Sequence, residues 1–345
     1  MSSIKKKDRL CIAYAAGPGD IVKTFSFWQK GMDDPNQVSV TYSALFFEAC
    51  RNINARGIAI SSCSRADINR TEDFHVENLP KGDAKNGLAF HLQQILYVRN
   101  VIRKAAAEGA DMLVMADATG HFFPFTWFAP SGMQLAPTLH CKLWSPYKPI
   151  SIVQKIINRL NRHIFSTRAT AVLSASQQID KQIVDITNNK CRPVYRFLPL
   201  YRRALFKLIT PPEFSFERFN LLFAGRLETE KGVFDLLQIA DELKKQGKNN
   251  ISIHLCGNGS CETILRKSVK EKYLESNFVI HGFCNQNEMV NHINNCHAFI
   301  VPTKTTFVEG FNQVVAEAIL SGRPVITSEV CPALEYVLDA VIEVL

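Results

Sequence analysis

Two glutamates, Glu309 and Glu317, stand eight positions apart in the stretch from Val308 to Ser328, VEGFNQVVAEAILSGRPVITS. Glu317 lies inside the apolar run Val314, Val315, Ala316, Ala318, Ile319 and Leu320, where a carboxylate is costly unless it has a partner. The pattern predicts one helix running into a strand, with Glu309 where the helix begins. Eight helical residues rise about 12 Å and rotate about 80°, so the two carboxylates would share neither a proton nor a metal. Each can hold one end of a long ligand, with an anion near the helix N-terminus, where free backbone N–H groups point. An amphipathic helix with Gln313, Glu317 and Ser321 as its wet edge accounts for the same letters.

A second constellation precedes it. Phe219 to Ala224 (FNLLFA) reads as a buried strand that breaks into Gly225-Arg226-Leu227-Glu228-Thr229-Glu230-Lys231-Gly232, and a helix from Val233 to Lys245 follows at once. Gly225 permits the turn, and Arg226 and Lys231, at a strand end and a helix start, can both reach a diphosphate. Strands ending in Gly257-Asn258-Gly259, in Gly282-Phe283 and in Pro302-Thr303 come next, each leading to a helix.

The ordered set, strand–GRxxxxKG–helix, strand–GxG–helix, strand–GF–helix and strand–PT–EGF–helix, resembles the donor half of retaining glycosyltransferases of the GT-B fold, group 1, family 4 type, over about 110 residues. The resemblance implies an α/β molecule of two Rossmann-like parallel-sheet domains facing a cleft. It implies a nucleoside diphosphate sugar as donor and a hydroxyl acceptor, with the anomeric configuration retained. Glu309 would then accept hydrogen bonds from the transferred sugar and Glu317 from the ribose diol. Gly310, Phe311 and Asn312 would line the donor, and Arg226 and Lys231 would hold its diphosphate. No cofactor is expected, and, without an Asp-x-Asp motif, no divalent metal at the phosphates.

These side chains need two layered domains to carry them. In the N-terminal half, Leu10 to Ala16 predicts a strand breaking into Gly17-Pro18-Gly19-Asp20, a turn that lets backbone approach a phosphate or sugar; it resembles the loop that the family turns toward the donor diphosphate and the acceptor, so Gly17 and Gly19 would join the donor site, although a plain turn serves as well. The GxGxxG and GK[ST] spacings of dinucleotide and ATP sites are absent. Helices are expected over Tyr42 to Ala55 and Leu88 to Glu108, and strands over Gly57 to Ser62, Asp111 to Ala116, Leu135 to His140 and Ala169 to Ser174. Arg65 to Asn86 shows no readable period. The aromatic run His121 to Pro130 (HFFPFTWFAP) reads as a loop over the sheet, an acceptor lining or a membrane contact. His140, at a strand end before Leu143-Trp144, resembles the cleft histidine of the family, while a structural histidine fits the same place. Between Ser151 and Arg168, Ile152, Ile156, Leu160 and Ile164 fall on one side and Lys155, Arg159 and Arg162 form a basic face, suited to solvent or to anionic lipid.

The chain of 345 residues suits two domains, 1–210 on the acceptor side and 211–345 for the donor, joined near Pro211-Pro212. With 46% hydrophobic and 21% charged residues it can pack cores, and the net charge of +8 favours anionic partners. A nucleotide sugar and an anionic membrane surface are expected among them; a nucleic acid is not. Ten cysteines without a CxxC pair or a zinc-type Cys/His spacing, and no signal peptide, point to reduced thiols in the cytoplasm, with peripheral contact at the inner membrane face. The chain stops at Val341 to Leu345, in an expected strand, before the strand-helix portion that the family ordinarily carries, so the second domain is expected to be shortened. A nucleotide-sugar epimerase, a phosphorylase and a non-catalytic nucleotide-sugar-binding fragment remain alternatives.

Overall fold

The structure is a computed structural model, and it describes residues 9–117, 119–207, 209–210, 212–213 and 217–337. The chain divides into two compact units: 1–34 with 40–144 and 149–198, and 35–39 with 145–148 and 199–345. The expected boundary lay at 210/211, whereas the second unit starts at Pro199. Tyr201, Leu205, Phe206 and Ile209 pack with Leu222, Phe299 and Ala318 in the core of that unit, which draws the segment ahead of the two prolines into it. The expected closing strand at Val341 to Leu345 lies outside the described residues.

The first unit runs β1 (Cys11–Ala15), α1 (Ile21–Gln29), α2 (Tyr42–Asn52), β2 (Arg56–Ser61), β3 (Asp67–Arg70), β4 (Phe74–Asn78), α3 (Gly87–Ala107), β5 (Met112–Ala116), α4 (Phe123–Phe128), β6 (Gln134–Leu139), α5 (Ile152–His163), β7 (Val172–Ser174), α6 (Gln177–Thr187) and β8 (Val194–Arg196). Its strands form one sheet in the order β3-β4-β2-β1-β5-β6-β7-β8, parallel except for the β3–β4 pair. The unread stretch after Arg65 thus holds an antiparallel edge hairpin. Its β4 is buried against β2, whereas β3 alternates half-exposed and exposed positions, as an edge strand does. The core is aromatic: Phe25, Phe47 and Phe74 meet with ring centroids 4.8–5.7 Å apart. Each such side chain contributes roughly 2–3 kcal/mol by leaving water.

The second unit runs α7 (Arg203–Lys207), β9 (Phe219–Ala224), α8 (Val233–Lys245), β10 (Ile251–Cys256), α9 (Glu262–Glu271), β11 (Phe278–Gly282), α10 (Gln286–Asn295), β12 (Ala298–Val301), α11 (Gln313–Leu320) and β13 (Val325–Thr327). Its parallel sheet has the order β11-β10-β9-β12-β13. One face packs Leu221, Phe223, Ile253 and Leu255 against Leu236, Leu237 and Leu265, and the other packs Leu222, Cys256 and Phe299 against Met289, Ile293 and Ala318.

Two local expectations change. His121 to Pro130 is not a bare loop: Pro124, whose missing N–H costs nothing in a first turn, opens α4, which buries Phe123 and Phe125 and leaves Trp127 exposed. In α5 the seated side is Ile157, Asn158 and Asn161. Asn161 fixes that seat by accepting from the Phe123 N–H (2.8 Å) and donating to the Gly120 carbonyl (2.7 Å). Ile152, Val153, Ile156 and Leu160 are consequently exposed, while Ile164 alone of the expected apolar side is buried.

Candidate active site

In a parallel sheet with crossovers to both sides, the loops after two neighbouring strands part where the strand order reverses, and ligands sit in that crevice. In the second unit the reversal lies between β9 and β12. The loop after β9 carries Arg226 and Lys231, and the loop after β12 carries Glu309. Topology therefore brings together residues about 80 positions apart in sequence.

Close backbone packing holds these loops. A Cβ on Gly232 (φ +76°) would lie 2.2 Å from the Pro302 carbonyl oxygen, and one on Gly257 (φ +142°) 1.9 Å from that of Gly225, so neither position admits a side chain. The Lys304 N–H donates to the Glu230 carbonyl (2.9 Å), joining the two loops directly. Glu228 accepts from the Ser260 N–H (3.0 Å) and hydroxyl (2.5 Å), and these bonds hold its carboxyl below the usual range.

Lys231 donates to Glu309 Oε2 at 2.5 Å, with both side chains largely buried. The same ammonium stands 4.1 Å from the Phe307 ring centroid, and the exposed Arg226 guanidinium 5.7 Å from it. A partly desolvated cation on an aromatic face gains about 1–2 kcal/mol. Phe307, which the sequence reading passed over, is therefore the surface that gathers both cations; an aromatic two residues before a loop glutamate was the available signal.

Glu309 does not begin a helix. Asn312 takes a left-handed conformation (φ +73°) ahead of α11, which starts at Gln313, so Glu309 belongs to the preceding loop. The helical rise and rotation expected between the two glutamates accordingly do not apply. Gly310 is buried, Phe311 lies 5.8 Å from Tyr336 between ring centroids, and Asn312 reaches Thr303 Oγ1 at 3.5 Å.

Glu317 lies inside α11, 6% exposed. Among the described residues its carboxylate makes no hydrogen bond or ion pair, and none joins it to Arg226, Lys231 or Glu309. Burial pushes its carboxyl up to about 7. Burial, with this carboxylate nearby, likewise pushes the Tyr201 hydroxyl up.

In the first unit the reversal lies between β1 and β5. A cavity of about 160 Å³ opens there, lined among others by Gly17, Pro18, Ser62, Lys81, Tyr97 and Asp117. A Cβ on Gly17 or Gly19 would meet nothing within 4 Å, so no protein atom demands either glycine. Asp20 caps α1 at the Lys23 N–H (3.0 Å) and is itself held by Asn78 Nδ2 (2.8 Å). Lys81, unremarked in the sequence, donates to Gln94 (2.5 Å) over the Tyr97 ring, and burial lowers its ammonium. Asp117 accepts from the Thr119 and His121 N–H groups (2.8 and 2.7 Å) and so shapes its own loop. His140 follows β6 between Tyr42 and Phe197, 4.7 and 4.9 Å between ring centroids, and burial pushes it down to about 4. Its imidazole is neutral at physiological pH.

Residues 211–345 match the family described as Glycosyl transferases group 1. A curated relative, the 2-deoxystreptamine N-acetyl-D-glucosaminyltransferase of Niallia circulans, is 26% identical over 109 residues, 32% of this chain and 27% of the relative's length. Among solved structures, sucrose-phosphate synthase from Thermosynechococcus elongatus superposes with a TM-score of 0.67 at 15% identity, over 95% of this chain and 83% of that one. An E. coli structure described as trehalose-6-phosphate bound with UDP-2-fluoro glucose reaches 0.68 at 10% identity, over 96% and 87%. The expected α/β architecture of Rossmann-like parallel sheets stands, and the neighbours it superposes on are GT-B glycosyltransferases.

Proposed function

We propose that the chain is a retaining glycosyltransferase that moves a sugar from a nucleoside diphosphate sugar to a hydroxyl acceptor. The observation that carries this reading is the meeting of Arg226, Lys231 and Glu309 at the reversal point of the donor sheet. Breaking the bond between the anomeric carbon and the phosphate oxygen leaves positive charge on the sugar and added negative charge on the diphosphate. Arg226 and Lys231 stabilise the latter, and Lys231 is already held in place by Glu309 and Phe307, so little reorganisation accompanies the step. Glu309 spends Oε2 on Lys231 and offers Oε1 to sugar hydroxyls. Glu317 accepts from the ribose diol, which supplies the hydrogen bonds that its buried carboxylate lacks.

Gly17, Gly19 and the cavity beside them receive the acceptor, since open space at both glycines leaves room for a ligand to approach the backbone. His140, held neutral, exchanges hydrogen bonds with a substrate hydroxyl rather than carrying charge. The acceptor oxygen bonds to the anomeric carbon on the face the phosphate leaves, and its proton passes to the departing phosphate oxygen. Among the described residues no helix is long and apolar enough to cross a membrane. Exposed Ile152, Val153, Ile156 and Leu160, flanked by Lys155, Arg159 and Arg162, suit peripheral contact with anionic lipid.

Proton NMR of the anomeric centre in donor and product tests the reaction. The expected result is an acceptor-dependent glycoside with the donor's configuration. An inverted product contradicts retention, and an altered sugar released without acceptor favours an epimerase.

A further inference from the structure

We propose that the second unit holds a zinc site, made by Cys256, Cys284 and His292, on the α10 side of its sheet. Their ligand atoms, two Sγ and one imidazole nitrogen, all lie within 4.8 Å of one another. A tetrahedral ion at about 2.3 Å from sulfur and 2.0 Å from nitrogen needs such a cluster to tighten only slightly. The three residues come from consecutive βα steps: Cys256 ends β10, Cys284 follows β11, and His292 is on α10. Sequence spacing of the zinc-finger kind never forms, which is why the pattern is silent about it.

The apolar packing around Cys256 gives way to imidazoles at the edge of the same sheet face. In β10, Ile253 and Leu255 enter the core under α8 and α9, while Ser252, His254 and Cys256 alternate to the α10 side. There Ser252 Oγ lies 3.2 Å from His254 Nε2, and His254 Nδ1 lies 3.0 Å from His281 Nε2. The His281 and His292 rings are 4.1 Å apart between centroids. A cavity of about 210 Å³, lined by Arg218, His254, His281, His292 and Cys296 among others, opens beside them.

Zinc binding forms two Zn–S bonds and one Zn–N bond and releases two thiol protons to solvent. The Glu288 carboxylate, one turn before His292, adds attraction for the cation, whereas Arg218 opposes it from the far side of the cavity. A water takes the fourth position. Thiolate with imidazole selects zinc over magnesium or calcium.

The test titrates the reduced, metal-free full chain with Co²⁺ and then with Zn²⁺. One equivalent of Co²⁺ should give the visible bands of a tetrahedral site and a thiolate charge-transfer band, and one equivalent of Zn²⁺ should abolish both. Cys284→Ser should remove the charge-transfer intensity of one thiolate, and His292→Asn should weaken Co²⁺ binding more than tenfold. Cys191→Ser, a thiol elsewhere in the chain, should change neither. Circular dichroism without metal identifies a variant that fails to fold, in which case the other decides. Absence of a thiolate band at one equivalent overturns the proposal. So do an unchanged spectrum in both ligand variants and a Cys256–Cys284 disulfide that re-forms in place of metal binding.

Discussion

At the scale of single residues the account turns on Glu317, a carboxyl that the fold buries without giving it a partner among the described residues. The unfolded chain releases this proton near 4.5, and the folded chain keeps it up to about 7. Between those values the folded state binds more protons, so stability falls as pH rises through the window and levels off above it. Glu317→Gln should remove that slope and stabilise the ligand-free protein by on the order of 2–3 kcal/mol at pH 8, with little change at pH 4.5. Denaturant melts at the two pH values read this directly, and a variant that keeps the wild-type slope contradicts it. Glu317 was legible in sequence, because a charge in an apolar run is conspicuous, and Glu309 through the Glu-Gly-Phe-Asn stretch ahead of that run. Lys81 was not, since nothing local distinguishes a loop lysine from its neighbours until topology places it.

At the scale of elements, helix α5 shows how a hydrophobic period can mislead. The 3.6-residue stripe of isoleucines and leucine reads as a core face, yet Asn161 bonds to two backbone groups and most of the stripe faces outward. Exposed apolar side chains beside Lys155, Arg159 and Arg162 gain from contact with anionic lipid about 1 kcal/mol per cation near the surface. The Arg159→Glu/Arg162→Glu double variant should therefore lose most of its sedimentation with phosphatidylserine vesicles at low salt. Equal pelleting of variant and wild type removes the membrane reading. The central strands of both sheets were legible to within a residue or two, because buried parallel strands are short apolar runs closed by glycine or proline, whereas β3 and β4 were not read and β7 begins three residues later than expected. Helix α1 was missed, although Asp20 caps it, since the glycine turn drew the reading away from Ile21, Val22 and Phe25. The start of α11 was misplaced because a left-handed Asn312 leaves no mark on hydrophobic period.

At the scale of the molecule, two parallel-sheet units each present a crevice where strand order reverses, one lined by Lys81, Tyr97 and Asp117 among others and the other by two cations and a carboxylate. The net charge of +8 helps draw an anionic donor to the second crevice. The motifs behind the proposed donor site were legible because they are strand-end punctuation, repeated four times in order. The acceptor was not, because a cavity is shaped by side chains from distant strands. The most direct measurement of the central claim is a thermal-shift screen of UDP-, GDP- and ADP-sugars on the wild type and on Arg226→Ala/Lys231→Ala. Only a ligand of the native state raises the melting temperature. The account predicts that one donor class raises it in the wild type and that the double variant loses the shift; no shift with any donor, or an equal shift in the variant, contradicts it.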